Sequence, residues 1–287
     1  MKAVERVTVL GAGTMGHGIA QVAAMAGAAT VLYDPDEDAL EGGVARIRAN
    51  LDRGVALGKV DDDDAHGALN RIRAAHQLAN AVGEADLVVE AVPESLELKH
   101  ELFRAADAAA PTEAILASNT SSLSIDRIAD AVGDPGRVLG LHFFNPVHVM
   151  KLVELVWGPR TSDATRERGM AFIRQLGKEP VVVKDAPGFA SSRLGIVLGM
   201  EAIRMVEQGV ASAEDIDKAM TLGYRHPMGP LRLTDLVGLD VRLGIAEYLH
   251  ETLGSEAFRP PELLRQMVAE GRLGKKSGQG FYDWSES

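Results

Sequence analysis

The chain has 287 residues, 46% hydrophobic and 25% charged, so it can bury the core of one large or two medium domains. Its 30 basic and 41 acidic side chains give a net charge of -11, which disfavours binding to nucleic acids or membrane surfaces because both are polyanionic. The absence of cysteine excludes disulfides, thiolate catalysis and cysteine-ligated zinc. Since no apolar signal region opens the chain and no run of 18 apolar residues follows, we expect a cytoplasmic protein without a membrane segment.

The first predicted element is a buried strand at residues 7–10, followed by a glycine-rich turn and an amphipathic helix over residues 15–26. In such a strand, turn and helix, Gly11 permits the tight turn and Gly13 lets the backbone approach a pyrophosphate. Gly16 lets the helix pack closely on the strand. We therefore predict a dinucleotide site, with contacts from Gly11, Ala12, Gly13, Thr14, Met15 and Gly16.

The second predicted strand, residues 30–33, ends in Asp34, roughly 20 positions after Gly11. A carboxylate at this place accepts hydrogen bonds from the ribose hydroxyls of the adenosine. It also repels a 2′-phosphate, so the sequence favours NAD over NADP as the cofactor.

A helical pattern over residues 35–59 carries the densest basic cluster in the first half of the chain. The members of this cluster are Arg46, Arg48, Arg53 and Lys59. A solvated helix face accounts for any one of them. Together they are also candidates for contacting the phosphates of a nucleotide-bearing substrate, and we assign that role to Arg53.

Two further strands are predicted to end in polar residues. Residues 85–94 place Glu94 at a strand end, with Lys99 one helical turn further on, where a cofactor or substrate would lie; an exposed ion pair in a helix cap region fits the spacing equally well. Residues 114–118 lead into Asn119-Thr-Ser121-Ser122, which either caps the next helix or holds a substrate oxygen.

His142 follows a short buried strand at residues 138–141, and residues 151–157 alternate as a half-buried strand does. The turn signal Asn145-Pro146 between them brings Glu154 back beside His142. A carboxylate in that place holds the imidazole in one tautomer and favours its protonated form, as a general base acting on a hydroxyl group requires. The alternative is a strand-end histidine with satisfied hydrogen bonds and a surface carboxylate.

Four predicted strand ends converge on one edge of a mostly parallel sheet, which favours a site over that alternative. These ends are marked by Gly11, Glu94, Ser121 and His142.

The composition shifts near residue 185, after which only helical periodicity is found until the end of the chain. We predict an α/β protein with a Rossmann-like, mostly parallel sheet domain over residues 1–185 and an all-helical C-terminal domain over residues 186–287. The helix over residues 194–206 is apolar around most of its circumference, so we expect a homodimer through this second domain.

Several motifs, in order and over almost the whole chain, resemble the L-3-hydroxyacyl-CoA dehydrogenases, in particular the 3-hydroxybutyryl-CoA type. They are Gly11-Ala-Gly-Thr-Met-Gly16, Glu90-Ala-Val-Pro-Glu94, Ser118-Asn-Thr-Ser-Ser-Leu123, Gly140-Leu-His-Phe-Phe-Asn-Pro146, Asp185-Ala-Pro-Gly-Phe189, Gly229-Pro230, Asp235-Leu-Val-Gly-Leu-Asp240 and Gly278-Gln-Gly-Phe-Tyr282. The resemblance implies an NAD-binding Rossmann domain, a helical substrate and dimerisation domain, and reversible oxidation of a (3S)-3-hydroxyacyl-CoA in fatty acid β-oxidation.

The resemblance also implies roles for single residues. His142 is the catalytic histidine, Glu154 the acid that orients it, and Ser121 the serine that binds the reacting oxygen. Asn145, Glu94, Lys99 and Lys276 match positions that line the cofactor cleft, and Asn145 also borders the substrate. No metal is implied.

The chain departs from the family pattern at Ser192, where an asparagine that binds the substrate is usual. Serine is shorter and lacks the second function of the amide. We expect it to widen the site for a larger or more polar acyl chain. If Ser192→Asn leaves the relative kcat/KM across acyl lengths unchanged, that expectation is wrong.

Two alternatives remain open from the sequence alone. One is a dehydrogenase of the same fold that acts on a free hydroxy acid or alcohol, of the carnitine, gulonate or pyridine type. The other is a non-catalytic NAD-binding protein.

Overall fold

The computed structural model describes residues 4–285, which form two compact units. The first unit ends at Ala186 and the second begins at Pro187. Within residues 4–285, no helix is both long enough and apolar enough to cross a bilayer.

The first unit is built on one eight-stranded sheet with the strand order β3-β2-β1-β4-β5-β6-β7-β8. Its strands are β1 Arg6–Leu10, β2 Ala29–Tyr33, β3 Ile72–Ala75, β4 Leu87–Glu90, β5 Ile115–Ser118, β6 Val138–Phe143, β7 Leu152–Trp157 and β8 Glu179–Lys184. All neighbouring pairs are parallel except β6 and β7, which are antiparallel. The predicted mostly parallel sheet is thereby confirmed.

Helices connect and flank these strands, as parallel pairing requires. They are α1 Gly16–Met25, α2 Glu37–Ala56, α3 Asp62–Asn70, α4 Leu78–Val82, α5 Leu96–Ala109, α6 Ile125–Ala129 and α7 Asp163–Gln175. Most begin at a side chain that accepts a hydrogen bond from a first-turn N–H, the capping residues being Asp36, Asp61, Ser95, Ser124 and Ser162. Such caps satisfy N–H groups that have no partner within the helix.

The strand predicted over residues 85–94 ends earlier than expected, at Glu90. The Glu90 carboxylate accepts a hydrogen bond from the Val92 N–H at 2.7 Å, and this local bond replaces the next rung of the ladder. Glu94 therefore lies in the loop between β4 and α5 rather than at a strand end.

The second unit is helical, which confirms the predicted all-helical C-terminal region. Its α-helices are α8 Ser191–Glu207, α9 Ala213–Lys218, α10 Pro230–Val237, α11 Leu239–Leu253 and α12 Glu262–Ala269. A separate hydrophobic core holds them together, with Ile196, Met200 and Ile203 of α8 fully buried. The same helix exposes 68% of Leu194.

Asp235 of α10 ties the last segment of the chain to this helical unit. Its carboxylate accepts hydrogen bonds from the N–H groups of Phe281 and Tyr282 and from Nε1 of Trp284, each at 2.9 Å. A Cβ at Gly280 would lie 2.1 Å from the Asp235 carboxylate, so only glycine fits there. This glycine-rich segment is therefore packed against α10.

We expect Asp235→Ala to lower the free energy of unfolding by about 3 kcal/mol, because three donors lose a buried acceptor at once. Urea unfolding of the full chain measures this. The exposed Asp283, whose carboxylate accepts from Ser285, supplies the matched control Asp283→Ala. Equal losses in the two variants would show that Asp235 does not anchor the segment.

Candidate active site

The glycine-rich turn between β1 and α1 leaves the backbone bare where a ligand could approach. Gly11 has a φ of 101°, and a Cβ at Gly16 would lie 1.7 Å from the Gly11 carbonyl oxygen. A Cβ at Gly13, by contrast, would meet no atom within 4 Å. Gly11 and Gly16 therefore shape the turn, and Gly13 leaves the outer side of the turn open to a ligand.

Asp34 directly follows β2 and bonds to this turn. Its Oδ2 accepts a hydrogen bond from the Ala12 N–H at 2.8 Å, and its Oδ1 accepts from the Asp36 N–H at 3.0 Å. The carboxylate is half-buried and has further lone pairs for ribose hydroxyls. No acidic residue occupies the first turn of α1, so no carboxylate there would repel a phosphate. A phosphate at this end of the helix could accept hydrogen bonds from the N–H groups of the first turn. Turn, helix and carboxylate together fit an NAD molecule.

A buried charge network lies at the adjacent ends of β4 and β5. Glu90, fully buried, accepts hydrogen bonds from Ser118 Oγ at 2.6 Å and from Lys99 Nζ at 2.7 Å. Lys99 is only 1% exposed and its Nζ lies 3.4 Å from an oxygen of Glu94. In the Glu94–Lys99 pair that the sequence allowed, Lys99 is buried and Glu94 is exposed. The buried ion pair is the one between Lys99 and Glu90, which the sequence indicated only as a strand residue.

Glu94 organises the loop that follows β5. Its Oε1 accepts hydrogen bonds from Thr120 Oγ1 at 2.6 Å, from the Ser121 N–H at 3.0 Å and from Ser122 Oγ at 3.0 Å. Burial favours a higher pKa for Glu94, but the Lys99 ammonium and these hydrogen bonds outweigh it and hold the pKa below its usual range. Ionised Glu94 thus fixes the position of Ser121, whose Oγ lies 3.4 Å from the same carboxylate oxygen.

We expect Glu94→Gln to lower the melting temperature at neutral pH and to make its decline in acid shallower. Because the folded-state pKa of Glu94 lies below its ordinary value of 4.5, ionised Glu94 stabilises the fold above that pH. This contribution is lost as the pH falls through the folded-state pKa. Melting curves between pH 3 and 7, roughly the range over which a carboxyl titrates, measure the effect.

A matched control for that experiment is Glu101→Gln, an exposed carboxyl on the same helix, α5. Parallel curves for wild type and Glu94→Gln over the whole pH range would contradict the assignment.

His142 and Glu154 face each other across the antiparallel pair β6 and β7, where the register places them directly opposite. Nδ1 of His142 lies 2.7 Å from Oε2 of Glu154, with both residues buried. The alternative of a surface carboxylate is therefore wrong for Glu154. Since Glu154 accepts at Nδ1, the neutral ring carries its proton there and Nε2 is its basic nitrogen.

Two neighbours define the end of β6. Asn119 accepts a hydrogen bond from the Phe143 N–H at 2.8 Å through Oδ1, which links the loop after β5 to the strand that carries His142. The Phe144 ring lies 4.5 Å from the His142 ring, centroid to centroid, at a tilt of 48°. In the sequence, Asn119 is only one member of a polar cluster. Its position at a strand end is the feature that could have indicated this structural role.

Arg53 lies exposed in the last turn of α2, near a group of basic side chains that the sequence did not reveal. Lys178 is buried and donates to the carbonyl oxygens of Val147 and Met150, both at 2.6 Å. Burial lowers the pKa of His148, and the charges of His17, Lys178 and Arg53 lower it further. Because the pKa values of His17 and His148 are lowered, these rings are neutral near neutral pH, and Arg53 and Lys178 carry the positive charge of this surface. The protein as a whole is acidic.

The remaining predicted site residues lie in loops or helix ends. Asn145 is exposed in the loop after β6, and Thr14 and Met15 belong to the glycine-rich turn. In the second unit, Ser192 lies in the first turn of α8, and Lys276 donates to Asp240 at 2.6 Å. Among residues 4–285, no group of three His, Asp or Glu side chains converges as a metal site.

This fold and site define a class of protein: a dehydrogenase that binds a dinucleotide at the carboxyl edge of a parallel sheet and holds a buried histidine and carboxylate pair. Residues 6–186 match the family of 3-hydroxyacyl-CoA dehydrogenase NAD-binding domains, and residues 188–284 match the corresponding C-terminal domain. The chain belongs to the 3-hydroxyacyl-CoA dehydrogenase family, which confirms the predicted family and its NAD-binding domain.

Individual relatives agree with this assignment. A probable 3-hydroxybutyryl-CoA dehydrogenase of Bacillus subtilis is 47% identical over 283 residues, covering 99% of this chain and 98% of the relative. The human mitochondrial hydroxyacyl-coenzyme A dehydrogenase is 46% identical over 287 residues, covering 98% and 91%. The crystal structure of (S)-3-hydroxybutyryl-CoA dehydrogenase from Ralstonia eutropha superposes with a TM-score of 0.94 at 41% identity, covering 99% of this chain and 100% of that one.

Proposed function

We propose that the chain catalyses the reversible, NAD-dependent oxidation of a (3S)-3-hydroxyacyl-CoA to the 3-ketoacyl-CoA. The observation that carries the proposal is the buried His142–Glu154 pair at 2.7 Å, on the same sheet as the glycine-rich turn and Asp34. The similarity to 3-hydroxybutyryl-CoA dehydrogenases supports the thioester substrate. The reaction would serve fatty acid β-oxidation.

In this proposal His142 is the general base. An alcohol gives up hydride from carbon readily only when its hydroxyl proton leaves as well, and Nε2 of His142 accepts that proton. Glu154 holds the ring through Nδ1 and stabilises the imidazolium that forms. In the reverse direction the charged His142 returns the proton to the ketone oxygen. Bound NAD supplies the hydride acceptor for this chemistry.

Ser121 would bind the reacting oxygen. Glu94 fixes the backbone N–H and the side chain of Ser121, so the hydroxyl is already in place when the substrate binds. Lys99 and Glu90 act indirectly, because Lys99 forms an ion pair with Glu94 and Glu90 forms an ion pair with Lys99. We assign Asn145 to the cofactor cleft and to the substrate.

The residues that would hold NAD are those of the glycine-rich turn, Gly11 to Gly16, for the pyrophosphate and Asp34 for the ribose. The family resemblance assigns Lys276 to the cofactor as well. The locally positive surface around Arg53 would suit the phosphates of the CoA portion.

We further propose that residues 186–287 form the substrate and dimerisation domain. Large apolar side chains of this region are exposed, namely Leu194, Leu222, Tyr224, Leu233, Leu236 and Val241. Exposed apolar side chains in such number suit a homodimer contact. The cytoplasmic location predicted from the sequence stays a prediction.

The proposal is tested by the preference of the protein for one substrate enantiomer and for NAD⁺ over NADP⁺. NAD⁺ reduction is followed with (S)- and (R)-3-hydroxybutyryl-CoA, and with NADP⁺ in place of NAD⁺. We expect turnover with the S enantiomer and NAD⁺, and at least about a hundredfold lower kcat/KM with NADP⁺, since Asp34 repels the 2′-phosphate. Equal rates with both cofactors, or with both enantiomers, would contradict the proposal.

A further inference from the structure

Asn119 of the first unit is a half-buried amide whose two ends differ in their surroundings. Its Oδ1 accepts a hydrogen bond from the Phe143 N–H at 2.8 Å. Because a backbone N–H can only donate, this bond fixes which end of the amide is the oxygen. The other end, Nδ2, makes no hydrogen bond to any of residues 4–285 and is open to solvent. Asn119 thus holds two N–H donors in one orientation without using them in the fold.

Other asparagines of the same unit use this donor within the protein. Nδ2 of Asn50, which is also half-buried, donates to the Gln21 side chain at 3.1 Å. Nδ2 of Asn80 donates to the Gln77 side chain at 2.8 Å. Polar groups that are drawn into a fold are normally hydrogen-bonded in this way. The donor of Asn119 is instead free to bind a ligand.

Asn119 lies at the edge of the sheet to which we assigned the dinucleotide. It directly follows β5, and its backbone N–H donates to the Glu90 carbonyl oxygen at the end of β4, at 2.8 Å. On its other side, the bond to Phe143 reaches the residue that follows His142 in β6. The amide is therefore held between the end of β4 and the strand of the general base.

The strand order indicates which half of NAD would meet this position. Asp34 follows β2, on one side of the glycine-rich turn after β1, whereas β4, β5 and β6 lie on the other side. A dinucleotide spans the crevice with one nucleotide on each side of the first strand. With the adenosine ribose at Asp34, the nicotinamide half would lie toward β4 and β5. Asn119 is on that side of the turn, as is His142.

We propose that Nδ2 of Asn119 donates a hydrogen bond to the carboxamide oxygen of the nicotinamide ring. The inference rests on the proposed function, because it takes NAD to bind along this edge. The carboxamide is the polar substituent of the ring, and its oxygen accepts from N–H donors. A hydrogen bond at this oxygen orients the ring, as hydride transfer requires. Because Oδ1 is bonded to Phe143, the same amide joins the cofactor to the strand that carries the base.

Asn119→Asp removes the donor but keeps the shape of the side chain and an acceptor for the Phe143 N–H. A carboxylate oxygen then faces the carboxamide oxygen, so we expect the Kd for NAD⁺ to rise at least about tenfold. Asn70→Asp, at the exposed end of α3, makes the same chemical change and should bind NAD⁺ as the wild type does. Calorimetric titration measures each Kd. An unchanged Kd in Asn119→Asp overturns the inference.

The thionicotinamide analogue of NAD⁺ tests the acceptor, because sulfur in place of the carboxamide oxygen accepts hydrogen bonds only weakly. We expect the wild type to bind NAD⁺ about tenfold more tightly than this analogue, and Asn119→Asp to lose the preference. The hypoxanthine analogue changes only the adenine base, so its Kd relative to that of NAD⁺ should be the same in both proteins. A wild type without the preference, or an equal preference in Asn119→Asp, overturns the inference.

Asn119→Ala removes both ends of the amide and keeps the test decisive if Asn119→Asp does not fold. We expect it to lose the preference for the carboxamide oxygen while its relative affinity for the hypoxanthine analogue stays that of the wild type. Retention of the preference in Asn119→Ala would overturn the inference alone. If the wild type bound none of the three dinucleotides, the assignment of NAD and this inference would both be overturned.

Discussion

His142→Gln should lower kcat for (S)-3-hydroxybutyryl-CoA oxidation by about a thousandfold while NADH binding stays at the level of the wild type. A positioned general base contributes roughly 10²–10⁴ in rate, and glutamine can hold a hydrogen bond but cannot accept the hydroxyl proton. Because Nδ1 of His142 already lies 2.7 Å from Glu154, no other imidazole nitrogen can replace Nε2 in this role. Steady-state kinetics and titration of NADH fluorescence separate the two effects.

The matched control is His76→Gln, an exposed histidine that should show the kinetics of the wild type. NADH oxidation by His142→Gln at the wild-type rate would revive the alternative of a non-catalytic role for this histidine. Loss of NADH binding in the same variant would place His142 in the cofactor site instead.

Glu154→Gln is expected to lower kcat by about a hundredfold, with KM changed much less. The amide keeps the size of the side chain, but its neutral oxygen no longer stabilises the imidazolium of His142, and its NH₂ group can turn the ring into the wrong tautomer. Since Glu154 is fully buried, water does not stabilise the imidazolium in place of the lost carboxylate charge. The effect should therefore fall on the step in which the proton moves rather than on binding.

Glu179→Gln serves as the control for that experiment, since Glu179 is an exposed carboxyl at the start of β8. If Glu154→Gln raised KM strongly and left kcat unchanged, the carboxylate would be a binding residue and not the partner that orients the base.

The parts of this protein that the sequence predicted are those in which the backbone demands a particular residue. Gly11 is required by its positive φ and Gly16 by the close approach of helix and turn. Their spacing in the sequence therefore predicts this turn. The alternation of residues 151–157 and the turn at Asn145-Pro146 likewise predicted a returning strand, and the register places Glu154 opposite His142.

The parts that the sequence did not predict depend on tertiary burial. Glu90 and Lys99 look like ordinary polar residues at a strand end and on a helix, yet they form an ion pair in which each side chain is 1% exposed. Arg242 lies within helix α11 and gives no local signal of its burial. Strand β3 was missed because its four residues form a short edge with two exposed side chains and little apolar alternation.

The most direct test of the central claim is the oxidation of NADH in the presence of acetoacetyl-CoA, with free acetoacetate as the second substrate under the same conditions. We predict turnover with the thioester and at least a hundredfold lower kcat/KM with the free acid, because the CoA portion supplies binding energy that the free acid lacks. Equal turnover of both substrates, or turnover of the free acid alone, would contradict the assignment of a 3-hydroxyacyl-CoA substrate.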